Sequence, residues 1–225
     1  MDGAPRSKDG SVHVTDERFN TASHLFGACL AVAGSGLLIT QAAVLGDPWK
    51  IVGMSVYGLS LVALFVFSTL HHGLDRTPRT NEVLRTLDYD AVFLLIAGTV
   101  TPIVLVLLRN PYGWAVLGAV WVIAVLGITV RSIWRQVPKF VTNTLYMALG
   151  WIPVLLVASD LRMPPAGLAL MAAGGLVYTL GFVVFVVERP NPRPGVFGFH
   201  ELWHLLVLLA AVLHFVAIYL FVLPS

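Results

Sequence analysis

The chain has 225 residues, of which 57% are hydrophobic and 12% charged, and its formal net charge is +2 at pH 7. A soluble domain carries about 25% charged residues, so this composition excludes one and points to an all-α integral membrane protein. The basic residues are not gathered into the patch that nucleic-acid binding needs, and the single cysteine, Cys29, rules out an internal disulfide framework.

Residues 1–16 are polar and mixed in charge, and they read as a flexible cytoplasmic tail. The apolar run behind them far exceeds the 7–15 residues of a signal h-region, so no cleavable signal peptide is expected. Histidine aside, the remaining charges fall between seven uncharged runs: 19–46, 51–74, 91–108, 110–130, 140–159, 163–187 and 202–225. Each reaches the roughly 17–25 residues that cross a hydrocarbon core about 30 Å thick. Lipid leaves backbone groups no partner except each other. Residues 17–225 are therefore expected to form one seven-transmembrane helix bundle, multi-pass in the plasma membrane.

Breakers occupy the gaps: Asp47-Pro48, Thr77-Pro78, Asn110-Pro111, Pro138, Pro164-Pro165 and the Pro190/Pro192/Pro194 cluster. Pro102 lies inside the third run, where a kink is expected. Paired small residues such as Gly53/Gly58 and Gly174/Gly175 point to close helix packing. Orientation follows from Lys and Arg. Eleven of the fourteen fall in the tail or in the second-to-third, fourth-to-fifth and sixth-to-seventh connections, leaving only Lys50, Arg109 and Arg162 opposite. That positive-inside bias sets the N-terminus in the cytoplasm and the C-terminus outside.

With this topology the polar residues gather at one end. His24 begins the first span, Ser68, His71 and His72 close the second, Asp88 and Asp90 open the third, and His200 and His204 open the seventh. His214 lies roughly 15 Å deeper than His204 at 1.5 Å per residue, and His13 belongs to the tail. Ionisable groups within spans are costly and mark functional sites. His200 and His204 are one turn apart on a single helix face. With His72 they supply three imidazoles and leave one position open, the layout of a catalytic zinc site. Asp88 is suited to orient or deprotonate a water, and Ser68, one turn before His72, to hold an oxyanion. The competing reading has each histidine reaching toward the headgroups or bonding a loop, and it is preferred for His13, His71 and His214.

Four stretches carry a resemblance: E-R-F-N-T-A-S-H (Glu17 to His24), S-T-L-H-H (Ser68 to His72), L-D-Y-D-A-V-F-L-L-I-A-G-T-V-T-P (Leu87 to Pro102) and H-E-L-W-H (His200 to His204). In this order on seven spans they resemble the hemolysin III-like proteins, bacterial relatives of the progestin and adipoQ receptors. That superfamily also contains alkaline ceramidases. The resemblance implies zinc held by His72, His200 and His204, with Ser68 and Asp88 as the motif serine and aspartate. His71 departs from it, standing where an aromatic such as tyrosine is expected.

H-E-L-W-H also fits the H-E-x-x-H signature, in which Glu201 would be the general base of a metalloprotease. Such a protease takes a further acidic ligand from a later helix, and no Asp or Glu follows Glu201. The expected function is a zinc-dependent hydrolase of lipid amide or ester bonds, with membrane lipids as substrate or ligand. Alternatives are a non-enzymatic, receptor-like regulator of membrane lipid homeostasis with structural zinc, and a cytolysin. Mid-membrane charged rings or polar stripes, which a pore needs, are not seen. For Glu17, Asn20 and His24 two roles stand open, a brace at the mouth of the site and, for Asn20 or Ser23, a helix start.

Overall fold

Asp47-Pro48, Thr77-Pro78 and Asn110-Pro111 interrupt the hydropathy profile because they start helices. The Asp47 carboxylate accepts from the Trp49 amide at 2.8 Å, the Thr77 hydroxyl from Thr80 at 3.3 Å and the Asn110 side chain from Gly113 at 2.8 Å. Each cap satisfies a backbone donor that the first turn leaves open, and the following proline needs no such donor.

The computed structural model describes residues 17–134 and 137–225, so the tail expected over residues 1–16 lies outside it. The helices are α1 (Glu17–Leu45), α2 (Pro48–Gly73), α3 (Pro78–Leu107), α4 (Pro111–Ile133), α5 (Lys139–Trp151), α6 (Val154–Val157), α7 (Pro165–Val187) and α8 (Phe199–Phe221). Counting Lys139–Val157 as one span, seven segments of the described residues are long and apolar enough to cross a membrane. No β-strand occurs among the described residues. The chain is an all-helical, multi-pass membrane protein.

The expected spans need three corrections. Helix α3 begins at Pro78, well before the uncharged run at residue 91, because its cap rather than its first apolar residue sets the start. Asp88 and Asp90 are therefore inside a helix, not at its mouth. Helix α8 likewise begins at Phe199, taking His200 and Glu201 into its first turn. The fifth span is broken at Ile152 and Pro153 into α5 and the single turn of α6, since proline supplies no amide to the preceding turn. Pro102 does not interrupt α3.

Helices α1, α2 and α3 pack side by side in succession, and α4 lies against α3. Helix α7 packs along α8, and α8 returns to α1 and touches α3. Helix α5 makes only light contacts with α3, α4 and α7. The most deeply buried span is α3. Because the spans alternate in direction, the starts of α1, α3 and α8 and the end of α2 meet at one end of the bundle.

Candidate metal centre

Three helices bring the predicted residues together. His72 ends α2, while His200 and His204 lie one turn apart at the start of α8. Their ring centroids are 4.7 Å apart for His72 and His204, 5.0 Å for His72 and His200 and 4.9 Å for His200 and His204. All three are buried, and one nitrogen from each lies within 4.8 Å of the others. Helix α1 reaches them because α2 is close to it: a Cβ on Gly73 would come within 2.9 Å of Thr21. From α1, the Glu17 carboxylate oxygen Oε2 accepts from His72 Nδ1 at 2.5 Å, and the His24 ring lies over His204 at 3.8 Å between centroids.

Asp88 is half-buried on α3 and forms a second group with His71 and His72, again with ligand atoms within 4.8 Å. It therefore faces the α2 side of the cluster rather than His200 and His204. Ser68 is buried one turn before His72. The turn of α3 that carries Asp88 is tied down by its neighbours. Arg131 Nε of α4 donates to Asp90 at 3.3 Å and its guanidinium sits 4.5 Å over the Tyr89 ring. Tyr146 of α5 donates to the Tyr89 carbonyl at 2.7 Å.

Several expectations change. His71 is buried against the site and does not reach toward headgroups. His214 bonds the Met171 carbonyl of α7 at 3.1 Å, a helix-to-helix contact rather than a loop contact. His13 lies outside the described residues. Glu201, the base of the protease alternative, is fully buried and accepts from the Gly198 amide at 2.7 Å, closing the first turn of α8. Asn20 and Ser23 lie inside α1, where the Ser23 hydroxyl donates to the Asn20 carbonyl, so neither starts the helix. Sequence reading missed the Arg131–Asp90 pair, although a span-flanking arginine opposite an acidic residue was a usable signal.

From the histidines a cavity of about 570 Å³ runs between α3, α5, α7 and α8. Its wall includes Asp88 at one end, Val92, Ile96 and Phe182 along its length, and Met163 at the other end. Asp88 to Ile103 on α3, both on the wall, spans about 22 Å at 1.5 Å per residue. Trp151, Val154, Val157 and Leu176, from α5, α6 and α7, line the cavity and are exposed rather than packed into the core. The cavity lies along the gap where α5 and α7 touch only lightly.

The donor set fits zinc. Three imidazoles match its preference for nitrogen ligands and leave a fourth position open. Bonds of about 2.0–2.1 Å put ligand nitrogens about 3.4 Å apart in a tetrahedron, and one nitrogen of each ring lies within 4.8 Å of the others.

Residues 12–215 match the family model described as Haemolysin-III related. The chain belongs to the haemolysin-III-related family. A curated relative within reach of that match is Hemolysin-3 of Bacillus cereus, 33% identical over 94% of both chains. The Hemolysin-3 homolog of Bacillus subtilis (strain 168) is 30% identical over 87% of this chain and 89% of its own. The human Monocyte to macrophage differentiation factor is 29% identical over 89% of this chain and 82% of its own. The haemolysin-III-related match thus takes in every residue of the histidine cluster.

Proposed function

We propose that this chain is a zinc-dependent hydrolase of lipid amide or ester bonds in the plasma membrane. One observation carries the reading: three buried imidazoles line a largely apolar cavity walled by membrane-spanning helices. A volume of about 570 Å³ lies in the range of small-molecule sites, and its walls suit an acyl chain. His72, His200 and His204 would hold the ion. Zinc in such a site acts as a Lewis acid and lowers the pKa of water to about 7.

The chain's own residues supply the rest. The apolar walls bind the lipid chain and exclude bulk water from the reacting bond. Asp88 takes a proton from the attacking water on its carboxylate and returns it to the leaving amine or alcohol. Ser68 Oγ donates to the oxyanion that develops on the scissile carbonyl. The positive-inside distribution supports a site on the cytoplasmic side, with the N-terminus inside and the C-terminus outside. Membrane lipids are the substrate.

The experiment has two stages. Metal analysis of detergent-purified protein should give about one zinc per chain, lost in His72→Ala and His200→Ala. Asp88→Ala should keep the zinc but lose release of fatty acid from lipid substrates. Zinc retained by both histidine variants would remove the metal centre. Turnover unchanged in Asp88→Ala, or absent from the unsubstituted protein across amide and ester lipids, would remove the hydrolase and favour a regulator with structural zinc.

A further inference from the structure

Glu17, Asn20 and His24 are the polar residues of the α1 face that meets the histidines, and the hydrolysis scheme uses none of them. Residues seven apart return to almost the same side of a helix, so Glu17 and His24 reach the cluster together, one at His72 and one at His204. The Glu17 contact is not a surface ion pair. The His72 side chain is 3% exposed and that of Glu17 27%. An ionised carboxylate accepts hydrogen bonds and cannot donate them, so His72 Nδ1 carries the hydrogen it shares with Glu17. The other ring nitrogen, Nε2, is then the one with a lone pair for a metal.

We infer that Glu17 is a positioning residue of the metal centre: its carboxylate holds the His72 ring through Nδ1 so that Nε2 faces the ion. This rests on the metal reading given under Proposed function. Histidine ligands are commonly fixed in this way, the carboxylate choosing the tautomer, orienting the ring and raising its basicity. Here the partner comes from a different helix, 55 residues away in the chain. Helix α1, which contributes no ligand, is thereby joined to the site. His24 adds a ring contact on a second candidate ligand, His204.

The test measures zinc affinity of the full-length protein in detergent by competition with a chromophoric chelator, alongside the absorption spectrum of the cobalt-substituted protein. Loss of such an outer partner typically costs 10–100-fold in metal affinity. Glu17→Ala should weaken zinc by that factor and shift the cobalt bands. Glu17→Gln, nearly isosteric but uncharged, should shift both in the same direction and serves if the alanine variant does not fold. Ser23→Ala, whose hydroxyl is satisfied within α1 at 3.0 Å, should change neither. Wild-type affinity and spectrum in both Glu17 variants, with zinc lost in His72→Ala, would overturn this inference alone. Zinc retained in His72→Ala would overturn the metal reading beneath it.

Discussion

Removing the metal should loosen one part of the bundle and leave the rest unchanged. Helix α8 packs along α7 and otherwise touches only α1 and, lightly, α3 among its stronger contacts. His200 and His204 nevertheless face His72 on α2. An ion shared by the three rings is thus a cross-link between α2 and the α7–α8 pair. A ligand that binds only the closed arrangement stabilises it by about 2.7 kcal/mol at a hundred times its Kd and about 4.1 kcal/mol at a thousand times. Chelating zinc from protein held at the lower excess should therefore speed amide exchange about a hundredfold in the first turns of α8 and the facing end of α7. The start of α2 and the end of α3 should exchange at an unchanged rate, because Gly53 seats α2 directly on the Pro102 backbone there. Hydrogen exchange read by mass spectrometry in nanodiscs resolves these segments. His204→Ala should erase the difference between zinc-loaded and chelated protein. Acceleration spread evenly over all helices, or none at all, would refute the cross-link.

Other outcomes follow from the packing and the cavity. Gly53→Ala places a methyl 2.9 Å from the Pro102 Cα, a backbone atom that cannot rotate away. It should cost about 1–3 kcal/mol in a denaturant titration, and unchanged stability would mean that the α2–α3 spacing is not fixed there. Asp90→Ala and Arg131→Ala each take this contact away from a largely buried partner, at about 1–3 kcal/mol. The double variant should lose less than the sum; strict additivity would deny the pair. Gly175 lines the cavity with nothing within 4 Å of its would-be Cβ. Gly175→Leu should therefore keep fold and zinc while cutting turnover of long-chain lipids more than short-chain ones. Equal loss for both chain lengths would place the acyl chain elsewhere.

Much of this protein was legible before its structure. Span number follows from a comparison between the length of each apolar run and the thickness of a bilayer, which is local information along the chain. The end of the bundle at which His72, His200, His204 and Asp88 meet follows from counting spans, since each crossing reverses direction. The grouping of three imidazoles followed from His200 and His204 sharing a helix face, with His72 at the same depth.

The lateral partners were not legible. Glu17 meets His72 and His24 meets His204 only because α1 is rotated and set against both α2 and α8. Whether Pro153 breaks its helix while Pro102 does not depends on the surroundings, and Pro102 is buried against Gly53 of α2. The cavity exists because α7 leans on α8 and leaves α5 only lightly touched. In water, helix rotation shows in the sequence as an apolar stripe facing a polar one. In lipid both faces are apolar and helices associate by close packing and a few polar contacts. The sequence by itself therefore determined how many spans there are and at which end of the bundle the polar residues gather, while the tertiary structure alone decided which way each helix turns and so what each residue touches.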